Sequence, residues 1–185
     1  TKEVFAVDAN GWREMNSGRP AYELVREAVQ NGLDEAVTLL EVEINYRPGS
    51  GVHFHIVDDV PGGIRDEKLI WTIWKSDKQD APTKRGRMGR GLKELISVSD
   101  DTLIVTAGGP AVQFTRSRGK WSRTSPVKKR PKSGTTVSGL VKLWGKKDAD
   151  AIISYLKRLR SPRGVDFYVN GQLVVRRESE ERYTL

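Results

Sequence analysis

The sequence predicts an α+β fold, with helices packed on one face of a mixed, mostly antiparallel sheet. Three observations carry that reading. Apolar residues recur at helical spacing after Pro20, in a run that reaches Leu40. Short alternating segments follow in pairs around turn sequences, the pattern of hairpins. The order is helix, hairpin, loop, helix, several strands, helix, hairpin, which lacks the strict alternation of a doubly wound fold.

The elements follow in order. Leu24, Val25, Ala28, Val29, Leu33, Ala36, Val37 and Leu40 predict one long helix. "EVEINY" and "VHFHIV" alternate as two strands around "RPGSG", and "VPGG" at 60–63 breaks the second. "DEKLIWTIW" predicts a short helix, with Trp71 and Trp74 as packing residues. "KSDKQDAPTKRGRMGRG" has the composition of a long loop, a length usually tied to function. "LKELISVS" is helical, and "DTLIVTAG", "AVQFTRS" and "KWSRTS" are consecutive strands. "GTTVSGLVKLW" is another strand and "DADAIISYLKRLR" a helix stopped at Ser161-Pro162. "VDFYVNGQLVVRRE" is a hairpin with Asn170-Gly171 at its turn.

A length of 185 residues predicts a single domain with a real core. The first residue is Thr1, and the expectation is that residues 1–185 are the N-terminal part of a longer protein. No run approaches the length of a membrane span, so no membrane partner is expected. The absence of cysteine excludes disulfides, thiol catalysis and cysteine-ligated zinc. It also fits a reducing compartment, cytoplasmic or, in a eukaryote, nuclear. The formal charge of +8 is unevenly spread. Eight basic residues and no acid lie between Arg116 and Lys132, and a second cluster covers Thr83 to Lys93. Such patches attract phosphates, of nucleotides or of nucleic acid, or simply keep a surface soluble.

Four constellations carry chemistry. In "REAVQNGLDEA", Glu27, Asn31 and Asp34 fall within a stripe of roughly 60° that borders the apolar arc. There a carboxylate can act as a general base and an amide oxygen one turn on can ligate Mg²⁺. In "HIVDDVPGGI", Asp58 and Asp59 end an apolar strand and are followed by Gly62 and Gly63. A carboxylate there can accept a hydrogen bond from an exocyclic amine of a flat ligand, or can be an ordinary turn residue. In "GRMGRGLKEL", Gly86, Gly89 and Gly91 precede a helix N-terminus, an arrangement that holds anionic oxygens. The following Leu92-Lys93 excludes a P-loop, and no Rossmann-type opening is present. In "SGTTV", Thr135 enters a strand and can offer a hydroxyl to a base or a water, or serve β-propensity alone. His53 and His55 share a strand face but lack a third ligand, so they read as structural.

Together the four resemble the boxes of the GHKL ATPases, the Bergerat-fold superfamily of gyrase B, heat-shock chaperones, MutL proteins and histidine kinases. "EAVQNGLDEA" is similar to the family's N box, "DDVPGG" to its first glycine box, "GRMGRGLK" to its second and "GTTV" to its third. The second box is most like microrchidia-type and MutL-like members, and the likeness spans residues 21–143. The resemblance implies a two-layer α/β sandwich that binds ATP and Mg²⁺ and hydrolyses ATP, slowly in isolation. It implies Glu27 as the base that activates water and Asn31 as metal ligand, with Asp34 in support. It implies that Asp58 or Asp59 reads the adenine amine; strand register favours Asp58. Gly86, Arg87, Met88, Gly89, Arg90, Gly91, Leu92 and Lys93 would hold the phosphates, and Thr135 the adenine side. Val60-Pro61 depart from the family pattern, in which a glycine closely follows the aspartate. Full-length relatives of this kind dimerise on ATP.

Two other readings compete. One is a nucleic-acid-binding module using residues 116–132, with the nucleotide site regulatory or vestigial and Trp121 as a candidate for base stacking. The other is a histidine-kinase-type catalytic domain, disfavoured by the glutamate in the N box and by the lack of a phosphoacceptor helix pair.

Overall fold

A computed structural model describes residues 8–36, 38–64, 66, 68–72 and 91–175. Its elements are α1 (Ala9–Ser17), α2 (Ala21–Glu35), β1 (Leu39–Arg47), β2 (Gly51–Asp58), α3 (Lys68–Trp71), α4 (Gly91–Val98), β3 (Asp101–Thr106), β4 (Val112–Ser117), β5 (Lys120–Thr124), β6 (Thr135–Val141), α5 (Lys146–Leu156), β7 (Asp166–Val169) and β8 (Gln172–Leu173). The strands form a sheet in the order β5-β4-β3-β6-β2-β1-β7-β8. Every pairing is antiparallel except β1 with β7. This is the predicted α+β architecture.

Strand alternation decides which face is covered. Leu40, Val42 and Ile44 of β1, Val52, Phe54 and Ile56 of β2, Ile104 of β3 and Phe167 and Val169 of β7 are all buried on one face. The apolar stripe of α2 (Leu24, Val25, Ala28, Val29, Leu33) lies against them, beside Ile152 and Leu156 of α5 and Leu95 of α4. Gly139 of β6 stands across from Thr102, and a side chain there would come within 2.6 Å of the Asp101 carbonyl and strike the Phe54 ring. The missing side chain is what lets Phe54 lie flat on the sheet.

Two local outcomes differ from the sequence reading. The apolar periodicity through Ala36 and Leu40 predicted helix to Leu40, but α2 stops at Glu35 and Ala36 turns extended at ψ 136°. A Cβ on Gly32 would stand 2.7 Å from Leu40 Cδ1, so Leu40 packs back under the helix from β1. One apolar pattern is thus shared by a helix and the strand that returns beneath it. Helix α1 was not anticipated, because its buried residues are Arg13 and Asn16 rather than an apolar stripe. The Asp8 carboxylate caps it by accepting from Gly11 N at 2.6 Å.

Arg13 explains why α1 is there. Its Nη1 donates to the carbonyls of Ser97, Val98 and Ser99 at 3.2, 2.5 and 3.2 Å. Its Nη2 meets Asp100 at 3.5 Å. These are the orphan carbonyls at the C-terminus of α4, closed here by a cation that the helix dipole also favours. Arg19 adds a second tie, donating to the buried Glu94 carboxylate at 2.6 Å.

The β7 hairpin is placed beside β1 by Asn170. Its amide donates to Ile44 O at 3.1 Å and accepts from Ile44 N at 2.8 Å. Asn170 and Gly171 take φ of 49° and 74°, the left-handed turn that the Asn-Gly pair predicted.

Arg13→Ala leaves the buried carbonyls without their donor and Asp100, still bonded to Lys142 N, without its ion-pair partner, and the expected loss is about 2–4 kcal/mol of unfolding free energy. Urea titration measures it; a loss below about 0.5 kcal/mol would mean that water replaces the guanidinium.

Candidate nucleotide site

The site begins with strand phase. Val52, Phe54 and Ile56 face the helices, so two residues on Asp58 faces the same way, opposite Leu40. Asp59 takes the other phase, and its carboxylate accepts from Thr38 N at 3.1–3.2 Å and from the Thr38 hydroxyl. The two aspartates left open by the sequence therefore have different surroundings: Asp59 ties the entry of β1, and Asp58 stands at the helix-facing end of β2.

Asp58 is held by backbone. Its Oδ1 accepts from Val60 N and from Thr135 N, both at 3.1 Å. Its Oδ2 accepts from no described residue. Burial pushes the carboxyl above its ordinary value; the two backbone donors pull it back, and Asp59 and Glu35 push it further up. A raised carboxyl is one whose charged form is insufficiently compensated where it stands.

The surrounding turn is built without side chains. Gly63 has φ 52°, and a Cβ there would strike Thr106 Oγ1 and stand 2.7 Å from Gly134 O. Gly134 has φ 81°, and a Cβ there would strike the Asp58 carbonyl. Both positions thus demand glycine on conformation and on space. Gly62 shares the turn at φ 77°. Gly134 N donates to Val60 O at 2.8 Å and Gly63 N donates to the same carbonyl at 3.1 Å. Thr106 Oγ1 accepts from Ile64 N at 2.7 Å and lies 3.1 Å from Thr135 Oγ1. The result is a corner of carboxylate, hydroxyls and bare backbone at one end of β2, β3 and β6.

The second wall is the polar stripe of α2. Glu27, Asn31 and Asp34 are half-buried along it. Gly91, the first residue of α4, lies against the first two: a Cβ there would stand 2.6 Å from Glu27 Cβ and 3.4 Å from Asn31 Nδ2. The N-terminus of α4, with its unpaired N–H groups, is thereby brought onto the stripe. The Asn31 amide has no hydrogen-bond partner among the described residues. Glu27 Oε1 accepts from Arg26 Nη2 at 2.7 Å. Leu92 is half-buried and Lys93 buried in α4. Gly86, Arg87, Met88, Gly89 and Arg90 lie outside the described residues, as does Trp74.

The two walls meet at the C-terminal end of α2. Gly32 rests on Leu40, whose cross-strand neighbour is Asp58, and the charge of Glu35 is felt at Asp58. Sequence reasoning missed Thr106, Gly134 and Arg26. Thr106 was findable, since it continues the buried phase of Thr102 and Ile104. Trp121 pairs across from Arg116 on the helix-facing side and is half-buried, with its Nε1 buried.

The architecture is that of known ATPase regions. The ATPase region of Saccharomyces cerevisiae topoisomerase II bound to ICRF-187 (dexrazoxane) superposes with a TM-score of 0.63 at 17% identity, over 84% of this chain and 49% of that one. A second structure of the same region gives 0.62 at 18% identity, with the same coverage. The chain thus spans about half the length of the structures it matches. The shared fold is the Bergerat-type α+β sandwich. No protein-family model and no curated protein matches the sequence.

Asp58→Asn keeps an acceptor for Val60 N and Thr135 N while removing the costly charge. The native carboxyl is raised, so its stabilising contribution is present below 3.8 and lost as pH rises through the raised value. The asparagine variant should therefore unfold at higher denaturant than the parent at pH 7, with the gain vanishing below pH 3.8. A variant less stable at pH 7 would sink this account of the corner. Gly91→Ala, which drives a methyl into Glu27, should cost about 1–3 kcal/mol in the same assay.

Proposed function

We propose that the chain is a GHKL-type module that binds ATP with Mg²⁺, hydrolyses it slowly, and drives conformational change in a larger protein. The observation that carries this reading is Asp58. A half-buried carboxylate with one oxygen committed to backbone and the other accepting from no described residue is suited to an amine donor on a flat ring, such as the exocyclic amine of adenine. The glycine-lined turn lets such a ring approach backbone, and the Thr135 and Thr106 hydroxyls stand beside it.

The residues present fit the triphosphate and its metal. Gly91 at the N-terminus of α4 places backbone donors where anionic oxygens are favoured. Mg²⁺ in such a site takes one or two protein oxygens and leaves the rest to phosphate and water. The Asn31 amide oxygen would be that ligand, and the metal, when bound, would neutralise charge at the phosphates. Asp34 supports the stripe one turn on. Glu27 would accept the proton of the attacking water on its carboxylate. Its Oε1 accepts from Arg26 Nη2 at 2.7 Å, which holds the carboxylate beside the start of α4. Residues 86–90 with Leu92 and Lys93 would complete the phosphate contacts, and an ATP-dependent homodimer of the full protein belongs to the same reading.

Among the described residues no helix is long and apolar enough to cross a membrane, and we place the protein in the cytoplasm, or the nucleus of a eukaryote.

A thermal-shift assay with ATP, ADP and a non-hydrolysable analogue, with and without Mg²⁺, tests the proposal. Ligand at 100 times its Kd should add about 2.7 kcal/mol of stability. Asp58→Asn should weaken ATP binding roughly 10- to 100-fold, the worth of one charged hydrogen bond. Glu27→Gln should keep binding and lose phosphate release. Equal ATP affinity in the parent and the Asp58 variant would remove Asp58 from the site.

A further inference from the structure

One border of the sheet carries a strip of exposed positive charge. β5 is an edge strand, joined to the sheet only through β4. The turn before it carries Arg118, with φ 49°, and the strand opens with Lys120. From Thr124 the chain must return to β6, which lies three strands away, a distance of roughly 14 Å at ordinary strand spacing. Residues 125–134 make that crossing as an arm over the sheet end, with Pro126 and Pro131 holding it extended. The arm carries Lys128, Lys129, Arg130 and Lys132, all exposed. None of these six cations has an ion-pair partner among the described residues. By contrast Arg13, Arg19 and Arg26, on the helical side, are each paired with a carboxylate.

Six unpaired cations on one border repel one another; salt screens that repulsion, and an extended counter-charge relieves it along the whole strip. A single small anion meets one or two of them. The chemistry of the rest of the strip narrows the polyanion. Trp121 is half-buried on the helix-facing side with its Nε1 buried, and Arg123 is laid over the Trp71 ring at 3.9 Å, so no aromatic ring of the strip is fully exposed. Single strands are held chiefly by stacking on such rings. What remains is a row of flexible point charges on an extended backbone, suited to the regular phosphates of a duplex and blind to its bases.

We infer that the β5 edge, its preceding turn and the 125–132 arm form a binding surface for the phosphate backbone of duplex nucleic acid, without sequence preference. The inference is independent of the nucleotide-site reading, because none of the six cations belongs to that site.

Fluorescence anisotropy with a labelled duplex DNA of about 20 base pairs tests it on the full chain. Binding should weaken roughly a thousandfold between about 50 and 200 mM salt if five or six phosphates are neutralised. The variant Lys128→Glu/Lys129→Glu/Arg130→Glu should abolish measurable binding and keep the parent's thermal midpoint, since the three side chains are exposed. Lys147→Glu/Lys157→Glu/Arg160→Glu, on and after α5, changes the net charge equally and should retain most of the affinity. Several outcomes overturn the inference: no binding at low salt, equal loss in both triple variants, a single strand bound more tightly than the duplex, or preference for anionic vesicles or an acidic peptide over DNA.

Discussion

A carboxylate withdrawn from water must be compensated where it stands, and at Asp58 the compensation comes from the main chain. Val60 N and Thr135 N both donate to one oxygen, which fixes the end of β2 against the start of β6. That contact requires the Val60–Gly63 turn to fold back and Gly134 to pass over the Asp58 carbonyl without a side chain. Thr106 and Thr135 then close the corner from β3 and β6. Three strands far apart in the sequence meet around one acceptor oxygen, and the second oxygen of the same carboxylate accepts from no described residue. The charge itself remains incompletely compensated by these donors.

Helix α4 is constrained in a complementary way. Its N-terminus is pressed against Glu27 and Asn31 through Gly91, while its C-terminal carbonyls are closed by Arg13. A helix of eight residues would be marginal alone. Clamped at both ends, it presents its first N–H groups to the α2 stripe as a rigid feature, and α1 exists chiefly to supply the clamp.

Much of this was legible in the sequence, for physical reasons that differ by element. The two-residue period of β2 already assigns Asp58 to the phase of Phe54 and Ile56, and the helical period of α2 already groups Glu27, Asn31 and Asp34. Both are local patterns, and local patterns are what a sequence displays. The end of α2 was misread because Leu40 satisfies the helical period while belonging to a strand. The parallel β1–β7 pairing depends on Asn170 reaching the Ile44 backbone across 126 residues of chain, and no local pattern encodes it. Helix α1 is buried through an arginine and an asparagine, so an apolar search passes over it. Arg26 looks like an ordinary solvated residue until its contact with Glu27 is seen.

The two borders of the sheet are protected in different ways. β8 is two residues long and offers little backbone to a stranger. β5 is longer, with unpaired N–H and C=O groups along its outer side, and a second copy could in principle add to it as another strand. Its lysine and the cations around it make two such edges repel. The charged border therefore acts as a guard against sheet extension between copies, and that guard is only as strong as its charge. Screening by salt, or cover by a polyanion that later departs, removes the repulsion while leaving the hydrogen-bonding template in place. Colloidal behaviour, a property of many molecules together, is in this way written into the edge strand of one.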